Sequence, residues 1–219
     1  MFWFLFFSHL IGDYPLQPEW MARNKEKLGV LLIHVSVHLV VLLTLAGEAR
    51  TLLWPYLLIL TVTHFGIDFG KLKLQKYRPN WNIRLYTIDQ SFHLTSIALI
   101  AFLVEREYAG MILPVSSDFF IYASGYLLVT YVWYISERVM VVSNTEYRKE
   151  VIRTAWTRMA SRALLVTVFL FGFGQGLPGA FLAGAAIHWP YNSNKFALRA
   201  LLTDALAAVS GTLFILLFR

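Results

Sequence analysis

Two polar motifs, HLIGD at residues 9–13 and HVSVH at residues 34–38, interrupt apolar sequence and recur further along the chain. A shift of 55 residues places HFGID at residues 64–68 on the first motif and DQSFH at residues 89–93 on the second. Each motif holds two His or Asp side chains four residues apart, which lie on one face of a helix. The shared register predicts an internal duplication of a two-helix unit.

The composition around these motifs predicts a membrane protein. Hydrophobic residues make up 58% of the 219 residues and charged residues 15%, whereas soluble domains are charged at roughly a quarter of their positions. Long apolar runs separated by charged loops predict an all-α, multi-pass transmembrane helical bundle of about seven spans. The expected spans cover about residues 2–14, 28–46, 51–70, 85–104, 118–140, 162 onward and 196–218.

No segment is expected to fold apart from the membrane domain. Residues 1–105 are predicted to form a duplicated four-helix unit, with repeats at about 1–50 and 51–105, and residues 106–219 to add further transmembrane helices. Lys and Arg concentrate in the loops after the first, third and fifth spans, so the positive-inside rule predicts that these loops are cytoplasmic. The N-terminus is then outside and Arg219 cytoplasmic.

The composition also excludes several classes of site. The chain has no cysteine, which rules out disulfides and thiolate metal sites. The net charge of +6 is attributed to cytoplasmic loops and lipid headgroups, so the expected partner is the lipid bilayer and not nucleic acid. The first apolar run lacks the basic start and cleavage site of a signal peptide and is expected to be a retained helix.

The four motifs are predicted to lie at one depth, toward the cytoplasmic ends of the first four spans. Ionisable side chains within spans are costly and usually face a bundle interior. Neutral His and ionised Asp are ligands for divalent metals, and the number of candidates exceeds what one ion uses. We therefore predict a site for two ions, Zn, Mn or Fe. The predicted ligands are His9, Asp13, His34, His38, His64, Asp68, Asp89 and His93.

Further predictions concern groups beside the ligands. Gln17 and Gln90 flank the ligand pairs and are expected to orient the ligands by hydrogen bonds without binding the metal themselves. Lys71, three residues from Asp68 on the same helical face, is expected to bind phosphate or another anion beside the metals. The predicted catalytic residues of such a site are Asp13, Asp68, Asp89 and Lys71. A haem with His38 and His93 as axial ligands is an alternative, but it leaves the carboxylates without a role.

Three segments outside the motifs carry predictions of their own. Residues 18–27 are expected to form either a short surface helix, with Trp20 and Met21 at the lipid headgroups, or a plain loop. Glu137, near the end of the fifth span, is expected to be solvated. His188 is expected to be a loop histidine.

The stretches HLIGDYPLQ at residues 9–17, THFGIDFGK at 63–71 and IDQSFH at 88–93 resemble an uncharacterised bacterial family. This family, domain of unknown function 3307, consists of multi-pass membrane proteins, which implies a bacterial inner (plasma) membrane. The resemblance covers about the first 105 residues, including both amides and Lys71. The family is more distantly similar to membrane-bound metal-dependent hydrolases, which implies a hydrolytic chemistry.

The leading functional hypothesis is a membrane metal-dependent hydrolase that acts on a lipid-linked or phosphorylated substrate at the cytoplasmic leaflet. One alternative is a divalent metal ion or proton transporter, although that function requires access from both sides of the membrane. A second alternative is a membrane di-iron oxygenase, because pairs of His four residues apart also occur there. A third is a structural membrane subunit whose polar cluster only holds helices together.

Overall fold

The regular structure of the protein is helical. The computed structural model describes residues 1–172, 178–179, 183 and 196–219, and every regular element in those residues is a helix. Within the described residues, four helical stretches are long and apolar enough to cross a membrane, namely Leu28–Tyr77, Asn82–Glu107, Ser117–Met140 and Ala197–Phe218. These helices fit a membrane protein, as predicted, but they do not confirm seven spans.

The chain divides into two compact units, Met1–Phe120 and Ile121–Arg219. In the first unit the helices are α1 (Phe2–Asp13), α2 (Glu19–Asn24), α3 (Leu28–Ala46), α4 (Arg50–Tyr77) and α5 (Asn82–Glu107). The predicted duplication is not confirmed, because α1 has 12 residues and its expected counterpart α4 has 28.

The link between α3 and α4 is a tight reversal of the chain. Gly47 has a positive φ of 56° and begins a short 3₁₀ turn that ends at Ala49. A positive φ costs glycine little because it lacks a Cβ atom. The two helices then pack along each other, so the apolar stretch Leu28–Tyr77 consists of a helical hairpin.

Helix α4 is longer than the sequence predicts. The expected end was near Gly70, whereas the helix continues to Tyr77 and so includes Lys71. It ends just before Arg78, whose successor is Pro79, and a residue that precedes proline disfavours the helical conformation.

Four helices of the first unit form a ring. Helix α1 packs against α3 and α5, and α4 packs against the same two helices. Leu5, Leu31, Leu57 and Ile97 contribute to the core, each with at most 2% of its surface exposed. This arrangement gives every one of the four helices a face that points to a common interior.

The outer faces of this ring are apolar. Val40, Val62 and Phe102 expose about 60% of their surface, and many other large apolar residues on α3, α4 and α5 are exposed. Exposed apolar faces of this extent fit helices that are surrounded by lipid.

Helix α2 covers part of the segment that was predicted as a surface helix or a loop, so the helical alternative is the one that forms. Trp20 is 51% exposed, but Met21 is 3% exposed and packs inward. The prediction that both side chains face lipid headgroups is therefore wrong for Met21. Because α2 packs on α3, one face of it must be buried.

The second unit is built from the end of α6 (Ser117–Leu127) and the helices that follow it. A π-helical turn at Leu128–Val132 joins α6 to α7, and the other elements are α7 (Trp133–Met140), α8 (Thr145–Arg153), α9 (Ala155–Thr167), the π-helical turn Val168–Gly172 and α10 (Ala197–Phe218). Val129, Val166, Ala207 and Ile215 lie in its apolar core. His188 lies outside the described residues, so its prediction is not tested.

Candidate metal centre

All eight predicted ligand side chains lie inside the ring of the first unit. Each of the four helices contributes one pair, which reaches the interior because side chains four residues apart share a helical face. None of these side chains is more than 9% exposed, and that of His34 is fully buried. The structure thus brings together four pairs that are separated by up to 84 positions, from His9 to His93.

Asp13 of α1 lies at the centre of one part of the cluster. Its Oδ1 atom is 3.1 Å from Nε2 of both His34 and His38 of α3, and 3.7 Å from Nε2 of His64. Its Oδ2 atom is 3.5 Å from Nε2 of His9 on the same helix. One carboxylate therefore faces four imidazoles.

Asp68 and Asp89 form the second part of the cluster around His93. Nε2 of His93 is 3.6 Å from Oδ1 of Asp68 and 3.5 Å from Oδ1 of Asp89. The two parts meet at Oδ2 of Asp68, which lies 3.4 Å from Nε2 of His34 and 3.7 Å from Nε2 of His64.

The potential ligand atoms fall into three overlapping groups, and within each group they lie within 4.8 Å of one another. His64 belongs to the first two groups and His93 to the last two. The groups are Asp13 with His34, His38 and His64; His9 with His64 and His93; and Asp68 with Asp89 and His93.

The residues fit a divalent metal. All five imidazoles turn Nε2 toward the carboxylates, yet several of the separations are too long for hydrogen bonds. Among the described residues, Nδ1 of His34, Nε2 of His93 and Oδ1 of Asp89 are buried without a hydrogen-bond partner. Buried polar atoms without partners are costly. Nε2 of His93 and Oδ1 of Asp89 face the cluster, and a cation bound between the ligands would give both atoms a partner.

Two lysines neutralise part of the cluster. Nζ of Lys71 lies 2.7 Å from Oδ2 of Asp89, and Nζ of Lys25 lies 2.8 Å from Oδ2 of Asp68. The predicted contact of Lys71 with a substrate anion stays a prediction, since the structure places this ammonium on a carboxylate. Lys25 was missed because 43 residues separate it from Asp68, and no spacing rule links them.

The two predicted amides behave differently. Nε2 of Gln90 donates a hydrogen bond to Oδ2 of Asp89 at 3.1 Å, and Oε1 of Gln90 is 3.4 Å from Nε2 of His9. Tyr14 adds a contact that the sequence did not indicate, because its hydroxyl is 3.5 Å from Oε1 of Gln90. Gln17 makes no such contact, and its Oε1 atom is buried without a hydrogen-bond partner among the described residues.

Gly12 permits the close approach of α1 and α3. A Cβ atom at this position would lie 2.4 Å from Cε1 of His38. A glycine between His9 and Asp13 therefore lets the imidazole of His38 reach Asp13.

A small cavity adjoins the imidazoles. Its volume is about 20 Å³, and its walls include His9, His38, His64 and His93. A space of this size holds about one water molecule when polar groups line it. The cluster thus has room for about one water molecule beside the candidate ligands.

The second unit holds a buried charged cluster that sequence reasoning missed. The guanidinium of Arg158 lies 2.7 Å from Asp204 and 2.9 Å from Glu137, and Nε of Arg162 lies 2.8 Å from Asp204. Glu137 is 6% exposed, so the prediction that it is solvated is wrong. The available signal was Asp204, an acid within an apolar helix, because such residues are rarely without a partner.

The fold and the buried cluster define the class of this protein, a chain whose described regular elements are all helices, several of which can span a membrane, with a His/Asp centre that can hold metal. The chain belongs to the family described as "Protein of unknown function (DUF3307)", whose model matches residues 1–118. The predicted resemblance to this family is thereby confirmed, and the matched residues include every candidate ligand. No curated protein and no solved structure matches the chain.

Proposed function

We propose that this protein is an integral membrane, metal-dependent hydrolase that acts on a lipid-linked or phosphorylated substrate at the cytoplasmic leaflet. The observation that carries the proposal is the convergence of five imidazoles and three carboxylates in overlapping groups. This donor set suits two neighbouring divalent ions, Zn, Mn or Fe. It exceeds what ion pairing between helices requires.

The chain offers a distinct set of ligands to each ion. Asp13, His34, His38 and His64 would hold one ion, and Asp68, Asp89 and His93 the other. His9 faces both sets. Helical bundles build such centres from inward-facing pairs on neighbouring helices, and this ring has the same design.

The residues around the ligands have roles of their own. Bound ions supply Lewis acidity and a water molecule that ionises near neutral pH. Gln90 orients Asp89 by its hydrogen bond, which holds the carboxylate in position. Lys71, whose side chain is 28% exposed, is the cation best placed to bind an anionic substrate group.

The predicted topology supports a site on the cytoplasmic side of the membrane. The basic loops that follow α1 and α4 are expected to be cytoplasmic, and Asp13, the last residue of α1, places the cluster toward that side. A substrate anion at this depth would meet the cytoplasmic headgroup layer.

A structural role is the second candidate, and the two lysine pairs favour it. Lys25 pairs with Asp68 and Lys71 pairs with Asp89. The negative charges of these two carboxylates are therefore balanced by the protein itself, without a metal. In that case the polar groups would join the four helices and no reaction would follow.

Elemental analysis of the purified protein separates these candidates. We expect about two metal ions per chain and hydrolysis of a phosphate-bearing lipid. The double variant Asp68→Ala, His93→Ala removes two of the three ligands of one ion, so it should lose about half of the metal and the hydrolysis. Asp118→Ala is the matched control, because Asp118 is an exposed acid of the same unit. Full metal in the double variant would contradict the site assignment. A folded protein without metal would favour the structural role.

A further inference from the structure

A groove runs between α4 and α5 on the outer face of the ring. Its volume is about 470 Å³, and its walls are mainly apolar, with Ile67 and Leu74 on α4 and Ile88 and Phe92 on α5. Phe92 exposes 59% of its surface and Ile88 41%. The groove is therefore an apolar surface that the described part of the chain does not cover.

Two glycines keep this groove open. Gly66 and Gly70 lie four residues apart on α4 and line it, and a Cβ atom built on either would meet nothing within 4 Å. Close packing within this unit therefore does not require glycine at either position. The pair leaves a notch along α4 that an external chain can fill.

The groove also reaches the candidate metal centre. Asp89 lines it, and Oδ1 of the same carboxylate lies 3.5 Å from Nε2 of His93. Lys71 lines it as well, with its Nζ atom on Oδ2 of Asp89. Asp89 thus belongs both to the wall of an apolar groove and to the ligand cluster.

We propose that this groove binds the hydrocarbon chain of a membrane lipid whose phosphate headgroup lies at Lys71. The lipid would reach the centre sideways from the bilayer. That this lipid is the substrate, and that its phosphate lies at Lys71, rest on the metal-dependent hydrolase proposed above, whereas the binding of its hydrocarbon chain in the groove does not.

Charge complementarity supports an anionic headgroup. The charged groups in the wall are one ammonium and one carboxylate, so the wall as it stands is neutral. A metal ion in the cluster would draw on the carboxylate of Asp89, and the ammonium of Lys71 would then face the groove with excess positive charge. An apolar groove that ends at such a cation suits a hydrocarbon chain with a phosphate at its end.

Photolabelling tests the chain-binding part of the proposal. The probe is a phosphatidic acid with a diazirine on one acyl chain, added to the metal-loaded full-length protein in nanodiscs. We expect saturable labelling of residues in the groove, with a fall of roughly tenfold, or about 1.4 kcal/mol, in Gly66→Leu and Gly70→Leu. Gly29→Leu is the control, because a Cβ atom at Gly29 of α3 also meets nothing within 4 Å but lies outside this groove.

A second probe tests the headgroup. In Lys71→Gln, labelling by phosphatidic acid should fall, while labelling by a diacylglycerol with the same photoreactive chain should not. Lys73→Gln is the control, since Lys73 is exposed and lies over the ring of Phe69. An equal loss for both probes would overturn the assignment of the phosphate to Lys71.

The outcomes separate the two proposals. Labelling that is non-saturable and spread over all lipid-facing helices, unchanged by the glycine variants, would overturn the groove and leave the metal centre untouched. Labelling that follows the glycine variants in a protein without metal or hydrolysis would uphold the groove and refute the hydrolase. The metal content of the glycine variants should equal that of the unchanged protein.

Discussion

Asp13 is the side chain around which most of the imidazoles are arranged. It faces His9, His34, His38 and His64 at separations of 3.1 to 3.7 Å. A buried carboxylate of this kind either binds a cation or requires several hydrogen-bond donors. Its charge is therefore the property that matters most for the cluster.

We predict that Asp13→Asn reduces bound metal to about half of its normal content, because it removes the only carboxylate from the ligand set of one ion. The amide has nearly the shape of the carboxylate but no charge, so the donor set loses one of its three anions. Elemental analysis beside circular dichroism measures both metal and fold. Normal metal content in a folded variant would show that Asp13 is not a ligand.

A substitution at Gly12 tests whether the close approach of His38 to Asp13 matters. Gly12→Ala would place a methyl group against the ring of His38, and overpacking of this kind costs about 1–3 kcal/mol. We expect a lower melting temperature and weaker metal binding. Gly29→Ala is the control and should be neutral or stabilising, because nothing lies within 4 Å of its added Cβ atom and alanine favours a helix.

The ring of α1, α3, α4 and α5 explains why pairs were needed on every helix. A single helix can present only side chains near i and i+4 to one depth, so one helix supplies two ligands. Four helices that pack in a ring supply eight at a common level. The centre is thus a property of helix packing and not of any one segment.

In the second unit, α7, α9 and α10 are joined by the charges of Glu137, Arg158 and Asp204. We predict that Arg158→Met destabilises the protein by roughly 3–5 kcal/mol, because the two acids are left buried and only partly compensated. Unfolding in mixed detergent micelles measures the change. Metal content should stay normal, since the candidate ligands all lie within residues 9–93.

Arg153→Ala provides the comparison for that substitution. Arg153 is 68% exposed and pairs with Glu150 on the same helix, and an exposed pair contributes about 0–1 kcal/mol. A similar loss in both variants would show that burial of the charges in the second unit is unimportant.

For the whole protein, metal binding and folding stability should be coupled. A ligand that binds only the folded state at a hundred times its Kd stabilises it by about 2.7 kcal/mol. We therefore expect the melting temperature to fall after dialysis against a chelator and to recover with Zn, Mn or Fe. The double variant Asp68→Ala, His93→Ala keeps the ligand set of one ion and should show a smaller response, and an unchanged response in it would point to another site.

Much of the architecture could be read from local patterns. Apolar runs predicted the helices that start near Phe2, Leu28 and Ala197 within a residue or two, because helix length in a bilayer follows hydropathy. The i, i+4 spacing likewise predicted which side chains share an interior, since it depends only on the geometry of one helix.

Contacts between distant segments required the folded structure. Lys25 on Asp68, Arg158 on Asp204 and the burial of Glu137 join positions whose separation follows no helical period. The amino-acid order thus established helices, their apolar faces and the ligand pairs. Packing decided which lysine meets which carboxylate and where a groove stays open, because those depend on the spatial arrangement of helices that no spacing within one segment encodes.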